Sequence, residues 1–377
     1  METIRILQVF GEPLSNGGQE SFVMNMYRNI DKNKFQFDFF TPFYCDNLEM
    51  KKNIEDMGGK VFFKNKEFYS KKRKKYFTEE LKKFLKENKY NIVHIHSGSI
   101  FSLAYGAKIA NKRGVKSVIV HSHATGIKNL KYKIIRILSN NKMKKYVSRY
   151  LACSKIAAIW KYPKSIIKAK KYKVINNGID VEKFKFNETV RQEYREKLNI
   201  KENIVLCNVG RFTEEKNHIL LIDIMEKIVP KHKNIKLLLV GTGVLENKIK
   251  QLVKEKNLEE NVIFLGNRHD VNNILQAVDM FLFPSIFEGL GIVAIEAQTA
   301  GLNVICSEKI PEDINLTKLV HRVSLEKGVE PWCTIIEKCI KEDINRENFY
   351  KIVDEKGYSD KKCAKVLENI YEEESKK

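Results

Sequence analysis

IVLCNVGRFTEEKNH, residues 204–218, joins an apolar run to a charged loop at the point where a helix begins. Runs of four to seven apolar or β-branched residues alternate in this way with longer helical segments in both halves of the chain. Such alternation is typical of parallel sheets that are covered by helices on both faces. The sequence therefore predicts an α/β fold with two doubly wound, Rossmann-like units in succession.

The apolar runs predict six strands in the first half of the chain and five in the second. The pattern restarts after residues 174–180, so the hinge is expected near residues 176–185. The predicted domains are residues 1–177 and 178–359, followed by a final segment, 360–377. Two such units should face each other across a cleft that is lined by the carboxyl ends of both sheets. The predicted strands are 4–10, 35–40, 61–63, 92–96, 117–122, 149–153, 204–210, 235–241, 262–266, 280–284 and 302–307.

Composition bounds the class of protein. A chain of 377 residues exceeds what one core usually supports, and 43% of its residues are hydrophobic, as expected of a globular protein. It contains neither eighteen consecutive apolar residues nor a signal-peptide pattern at the start, which predicts a cytoplasmic protein. Seven scattered cysteines without a Cys-x-x-Cys pair predict no zinc or redox centre.

Positive charge is concentrated in the first half. Residues 1–188 contain 39 Lys and Arg against 16 Asp and Glu, whereas residues 189–377 contain 29 and 31. So basic a half should attract polyanions such as an anionic membrane surface. The densest runs are residues 66–77 and 128–149, and in the second run Leu130, Ile134, Ile135 and Leu138 recur at helical spacing. Each run is read either as a membrane-surface element or as an ordinary solvated helix face.

The first turn, GEPLSNGGQES, leaves a strand and enters an amphipathic helix. Gly17 and Gly18 would let the backbone approach a phosphate at the helix N-terminus, where free amides and the helix dipole favour anions. A plain turn before a helix is the alternative interpretation.

Arg211 and Lys216 occupy the equivalent turn of the second half. Two cations at the end of a strand could hold a diphosphate, Arg by forked hydrogen bonds and Lys as a point charge. Salt bridges to Glu214 or Glu215 are the alternative.

The segment FPSIFEGLGIVAIEAQTAG, residues 283–301, carries the strongest signal. Glu288 and Glu296 flank a glycine-rich turn that follows a strand and a proline. Gly289 and Gly291 free backbone amides to face an anion or a sugar, and Glu296 is an acceptor suited to a ribose diol.

These motifs in this order resemble family 4 of the retaining glycosyltransferases, which have the GT-B fold. The resemblance rests on GGQES, HSHATG, ACSK, INNGID, VGRFTEEKN, LVGTG, FLG and FPSIFEGLGIVAIEAQTAG, and extends from Ile4 to about Leu325. The stretches of residues 17–40 and 307–325 are similar in particular to bacterial exopolysaccharide and capsule members. In similar proteins a last helix, here about residues 360–374, crosses back to the first domain.

The resemblance implies a role for each matching position. Arg211 and Lys216 would grip the donor diphosphate, and Glu296 would bind the ribose hydroxyls. His123 matches the family histidine that faces the sugar from the N-terminal domain, with His121 ranked second. A satisfied strand-end residue remains the alternative for either histidine. The other implied donor contacts are Glu288, Gly289, Leu290, Gly291 and Ile292 to the transferred sugar, Gly17 and Gly18 to the phosphates, and main chain near Asn267 and Arg268 to the base.

The resulting hypothesis is a retaining transferase that moves a hexose or N-acetylhexosamine from a UDP-sugar to a lipid-linked saccharide during cell-surface polysaccharide synthesis. The absence of an Asp-x-Asp motif predicts that it needs no metal, and no cofactor is expected beyond the donor substrate. The basic half is expected to dock on the inner face of the cell membrane. A UDP-sugar 2-epimerase on the same fold and a basic nucleic-acid-binding protein are the rival interpretations, although no nucleic-acid-binding module is recognisable.

Overall fold

The computed structural model describes residues 3–15, 17–123 and 130–377, with the side chains of 130–134 left out. It forms two compact units. One comprises Met1–Gly178 together with Asp360–Lys377, and the other comprises Ile179–Ser359. The C-terminal helix thus belongs to the same unit as the first half of the chain.

A seven-stranded parallel sheet organises the N-terminal unit, in the order β3-β2-β1-β4-β5-β6-β7. Chain order reverses between β1 and β4, as in doubly wound nucleotide-binding folds. The strands are β1 Ile4–Phe10, β2 Phe35–Phe40, β3 Lys60–Phe62, β4 Ile92–Ser97, β5 Ser117–Ser122, β6 Arg149–Ala152 and β7 Lys173–Val174. The helices of this unit are α1 Gly18–Asn29, α2 Leu48–Asp56, α3 Arg73–Glu87, α4 Ile100–Lys112, α5 Leu130–Tyr146, α6 Lys155–Lys161, α7 Lys164–Lys168 and, at the C-terminus, α16 Asp360–Ser375.

The C-terminal unit is built on a six-stranded parallel sheet of order β10-β9-β8-β11-β12-β13. Its reversal point lies between β8 and β11. The strands are β8 Ile204–Val209, β9 Ile235–Val240, β10 Val262–Gly266, β11 Met280–Phe283, β12 Asn303–Ser307 and β13 Val320–Val323. The helices are α8 Val181–Phe184, α9 Glu188–Lys197, α10 His218–Ile228, α11 Glu246–Glu255, α12 Val271–Ala277, α13 Ile292–Thr299, α14 Glu330–Ile340 and α15 Phe349–Val353.

Each sheet is buried on both faces, because helices cover both sides. In β1, Leu7 and Val9 join the core on one face, while Ile6 and Phe10 join the core on the other. Period-two alternation places Gln8 on the face of Ile6 and Phe10, where α16 packs. A polar side chain in this strand therefore needs a polar partner from the covering helix.

All eleven predicted strands are present, with ends that differ from the prediction by at most one residue. The expected α/β class with two doubly wound units is confirmed. β7 and β13 were not predicted. No described helix has the length and apolarity that a membrane span requires.

Candidate active site

In the C-terminal unit the predicted donor-binding residues gather where β8 and β11 end. These two strands are hydrogen-bonded neighbours, although about seventy residues separate them in sequence. Parallel sheets bind ligands at the carboxyl ends of strands where the chain order reverses, because the loops there diverge to opposite faces.

The loop after β8 carries both predicted cations. Arg211 is exposed and forms no salt bridge with any described residue. Lys216 closes a single 3-10 turn, and Asn217 follows in the left-handed conformation at φ 53° before α10 begins. The backbone N–H of Ile286 donates to the carbonyl of Glu215 at 2.8 Å, which joins this loop to the one after β11.

Glycines let a third loop pack directly on this one. A Cβ at Gly241, whose φ is +135°, would clash with the carbonyl oxygen of Gly210. A Cβ at Gly243 would lie 2.6 Å from the backbone nitrogen of Phe212. Backbone therefore packs on backbone at the end of the sheet, and this contact holds the turn before Lys216.

Lys216 and Glu288 form an ion pair. The Lys216 Nζ lies 2.5 Å from Oε1 of Glu288, and the two side chains are 21% and 13% exposed. The ammonium group also lies 5.5 Å from the ring centroid of Phe283. The alternative pairing of Lys216 with Glu214 or Glu215 does not occur in the described structure, and the Glu288 side chain is mostly buried at the end of the sheet.

The glycine-rich turn leaves open space beside the pair. No atom lies within 4 Å of a Cβ built at Gly289, whereas Leu290 is buried in the core and anchors the turn. Gly291 caps α13 at φ +89°, and no side chain caps the first amides, which begin at Ile292. The turn therefore presents unpaired N–H groups and the positive end of a helix dipole.

Glu296 lies one turn further along α13 and is partly buried. Burial raises the pKa of its carboxyl group to about 7, and the charge of Lys183 opposes that shift. Neither oxygen has a hydrogen-bonding partner among the described residues. Such a carboxylate would gain from two hydroxyl donors, as a ribose diol provides.

Arg268 is engaged already. Its guanidinium donates two hydrogen bonds to Asp270, at 2.8 and 2.6 Å, and Tyr194 donates a third to the same carboxylate at 2.8 Å. These contacts lower the pKa of Asp270. A donor contact at this position would therefore come from main chain, as the resemblance implies, and not from the guanidinium.

In the N-terminal unit His123 follows the last residue of β5 and meets a cluster of histidines. Its Nε2 lies 2.9 Å from Nδ1 of His96 on β4, and its ring stacks on that of His121 at 4.3 Å. His94 lies beside His96 and His121, with ring-centroid distances of 4.0 Å and 5.4 Å. Burial lowers the pKa of His123 to about 3, so the ring is neutral at physiological pH.

Gly17 and Gly18 stand at the N-terminus of α1, as predicted, but carboxyl groups share that place. A Cβ at Gly17 would clash with a carboxyl oxygen of Glu20, which is buried and whose pKa burial raises to about 7. Burial raises the pKa of Glu12 as well, and that carboxyl accepts from Ser97 Oγ at 2.7 Å. A phosphate at this helix end would meet two acids, which must be protonated or displaced to admit it.

Sequence reasoning missed the polar residues beneath His123. These are Gln8, His94, His96 and Tyr371, of which Gln8 and the two histidines interrupt otherwise apolar strands. His94 and His96 alternate along β4 at the same period as His121 and His123 along the next predicted strand. That shared period was the available signal.

Comparison with known proteins places the chain in a family. The model of glycosyltransferase family 4 matches residues 16–183, and that of glycosyl transferases group 1 matches residues 190–353. The chain belongs to family 4 of the glycosyltransferases. The family predicted from the motifs is thereby confirmed, and with it the glycosyltransferase class of enzyme.

Three relatives show the kind of member that the chain is similar to. EpsF of Bacillus subtilis (strain 168), named as a glycosyltransferase, is 29% identical over 97% of this chain and 96% of its own length. The capsular polysaccharide biosynthesis glycosyltransferase CapH of Staphylococcus aureus is 24% identical over 98% of both chains. The UDP-Gal:α-D-GlcNAc-diphosphoundecaprenol α-1,3-galactosyltransferase of Escherichia coli is 29% identical over 71% of this chain and 65% of its own.

Solved structures confirm the GT-B fold of this family 4 chain. The Anabaena protein Alr3699/HepE, crystallised with UDP, superposes with a TM-score of 0.72 at 17% identity. The match covers 98% of this chain and all of the Anabaena chain.

Proposed function

We propose that this glycosyltransferase moves a hexose or N-acetylhexosamine from a UDP-sugar onto a lipid-linked saccharide, with retention at the anomeric carbon, during synthesis of a cell-surface polysaccharide. One observation supports this most. Lys216 and Glu288, for which the family resemblance implies diphosphate and sugar contacts, touch each other beside a glycine-rich turn at the reversal point of the sheet.

Each charged group would have a separate task in transfer. Negative charge develops on the leaving diphosphate, where Lys216, the unpaired Arg211 and the N-terminus of α13 would stabilise it without a metal. On donor binding the Lys216 ammonium would turn from Glu288 to the phosphate, which frees the carboxylate to accept from sugar hydroxyls. Glu296 would accept from the ribose diol, and His123 from the transferred sugar.

The proposed acceptor class follows from the relatives. The Escherichia coli relative is named for an acceptor linked to diphosphoundecaprenol, and CapH is named for capsular polysaccharide biosynthesis. A lipid-linked acceptor stays at a membrane surface, so an enzyme that uses it gains from binding there.

The start of α3 favours an anionic surface as the docking site. Lys71 to Lys75 are all exposed, and the first turn of α3 contains no acidic residue. Cations at a helix N-terminus oppose the helix dipole, at about 0.3 to 1 kcal/mol each, so this arrangement works against helix stability. An anionic partner would attract the same cations and so offset this cost.

Aromatic contacts join the two basic runs into one surface. The Lys74 ammonium lies 5.1 Å from the ring of Phe101, which stacks on Tyr105 at 4.2 Å, and Lys142 of α5 lies 4.5 Å from the Tyr105 ring. Part of the predicted amphipathic stripe, Leu130 and Ile134, lies outside the described side chains. Within the described part of α5, Ile135 packs on the core, whereas Ile137 and Leu138 are 66% and 55% exposed.

The test begins with a screen of nucleotide sugars for thermal stabilisation of the purified chain, because a ligand that binds only the folded state raises its melting temperature. Transfer of the selected sugar onto a lipid-linked saccharide is then measured. Lys216→Ala and Glu288→Gln should each lower kcat by roughly a hundredfold or more, since each removes a charge that acts in the transition state.

The surface pair Lys231–Glu337, at 2.8 Å in the same unit, provides the matched control. Lys231→Ala should leave transfer unchanged. Near-normal rates for both site variants would contradict the proposal. Formation of an epimer from the donor without any acceptor would favour the epimerase instead.

A further inference from the structure

A chain of hydrogen bonds runs from the C-terminal helix to His123. The Gln8 Nε2 group donates to the hydroxyl of Tyr371 at 3.1 Å, and that hydroxyl lies 2.7 Å from Nδ1 of His94. The Gln8 Oε1 atom lies 2.8 Å from Nε2 of His96, whose Nδ1 lies 2.9 Å from Nε2 of His123. Every one of these side chains except that of His123 is almost completely buried.

The orientation of the Gln8 amide, with Nε2 toward Tyr371 and Oε1 toward His96, fixes the position of each proton through a count of donors. The Tyr371 hydroxyl accepts from Gln8, so its single proton goes to His94 Nδ1. The Gln8 carbonyl oxygen can only accept, so His96 carries its proton on Nε2 and offers a bare Nδ1. His123 must then carry its proton on Nε2 and donate it to His96. A neutral imidazole has one proton, which leaves a lone pair on Nδ1 of His123.

The Nδ1 atom of His123 is itself buried and has no hydrogen-bonding partner among the described residues, so it is an unsatisfied acceptor for a hydroxyl group that reaches it. All four histidines stay neutral, because burial lowers the pKa of His94, His96 and His121 well below the usual value and that of His123 to about 3. Two other rings pack against the ring of His123. The centroid of Phe22, on α1, lies 5.3 Å from that of His123, and the centroid of His121 lies 4.3 Å away.

We infer that Tyr371, Gln8 and His96 are positioning residues, which fix His123 as the Nε2–H tautomer so that its Nδ1 accepts a hydrogen bond from a hydroxyl group of the substrate. The inference rests on the proposed function for the identity of that substrate. It rests on the hydrogen-bond chain alone for the tautomer. It gives α16 a direct part in the site, through a hydroxyl two hydrogen bonds away from His96.

Metal binding by the same histidines is the competing explanation. Ring nitrogens of His94, His96 and His121 lie within 4.8 Å of one another. However, both nitrogens of His96 are engaged already, one with Gln8 and the other with His123. A bound metal would have to replace hydrogen bonds that link Gln8, His96 and His123.

The decisive experiment reads the tautomers directly. Long-range proton–nitrogen spectra of the full chain labelled with 15N-histidine distinguish Nδ1–H from Nε2–H for each ring, with resonances assigned by single His→Gln substitutions. His94, His96 and His123 should all be Nε2–H. An Nδ1–H or averaged tautomer at His123, or stoichiometric zinc in the purified chain by elemental analysis, would overturn the inference.

Two variants test the direction in which protons are donated along the chain of hydrogen bonds. Tyr371→Phe releases the Gln8 amide, so His96 and His123 should become tautomeric mixtures, with kcat about tenfold lower and KM for the donor unchanged. Gln8→Glu keeps an acceptor for His96 Nε2–H, so it should keep the His123 tautomer and most of kcat. If Gln8→Glu fails to fold, the Tyr371→Phe spectra decide alone.

Tyr150→Phe is the matched control, since Tyr150 is buried in the same unit and its hydroxyl donates to the Met143 carbonyl at 2.7 Å. It should lose similar stability without any change in tautomer or kcat. A purely structural role for Tyr371 predicts the same result for both phenylalanine variants, which would overturn the inference. Because the spectra need neither donor nor acceptor, failure of the proposed transfer reaction would leave this result interpretable.

Discussion

Glu296 is partly buried on α13, and the pKa of its carboxyl group is raised by burial from 4.5 to about 7. At pH 5 the folded state keeps Glu296 protonated while the unfolded state is largely ionised, whereas at pH 8 both states are ionised and the folded state holds a desolvated carboxylate. Stability that depends on Glu296 is therefore lost as the pH rises from about 4.5 to about 7, and the full loss remains above pH 7.

Glu296→Gln should consequently stabilise the ligand-free chain at pH 8 by about 2 to 3 kcal/mol, and much less at pH 5. Urea unfolding of the two proteins at both pH values measures the difference. The exposed Glu355→Gln serves as control and should give no pH-dependent gain. The same Glu296 variant should bind nucleotide sugars more weakly, because an amide replaces the carboxylate acceptor. If Glu296→Gln changed the free energy of unfolding equally at pH 5 and pH 8, the burial assigned to this carboxyl group would be contradicted.

At the residue level, sequence reasoning predicted Lys216, Glu288 and Glu296 as site residues because each follows a recognisable strand and turn. It did not predict that Lys216 pairs with Glu288, since that contact depends on β8 and β11 being neighbours in the sheet. It likewise missed the partners of His123. The link from Gln8 to Tyr371 spans 363 positions, and no local pattern indicates such a contact.

At the level of elements, strands were predicted well wherever both faces are buried, because such strands read as continuous apolar runs. The two strands that were missed lack this property. β7 has only two residues, both exposed, and β13 places His321 and Arg322 between two valines. Edge strands of this kind are defined by pairing with a neighbour, which the local sequence does not specify.

The packing of loop on loop near Lys216 makes a prediction at the same level. Gly241→Ala combines a positive φ with a clash against the Gly210 carbonyl, so it should cost about 3 kcal/mol or more and weaken donor binding by displacing the Lys216 loop. Gly114→Ala, at φ +84° in the turn that ends α4 and with open space around it, should cost only about 1 kcal/mol and leave donor binding unchanged. Urea unfolding and donor titration of both variants provide the comparison, and equal effects would show that the clash is relieved by local movement.

At the level of the whole molecule, the excess positive charge belongs to the first half of the chain, whereas the predicted diphosphate-binding cations, Arg211 and Lys216, lie in the second. The donor site therefore does not account for the charge asymmetry. The proposed binding to an anionic membrane would account for it, because a charged surface acts over roughly a Debye length on all exposed cations together.

Replacing Lys71, Lys72, Lys74 and Lys75 by Gln should therefore weaken binding to anionic vesicles by about 1 kcal/mol for each lysine. The melting temperature should stay the same or rise, since the change removes cations from the N-terminus of α3. Flotation with anionic and neutral vesicles at low and physiological salt measures the binding. A control with the same change in net charge replaces Lys233, Lys248, Lys254 and Lys327, all exposed in the C-terminal unit. If both quadruple variants floated equally, net charge alone would explain binding and the α3 surface would have no special part in it.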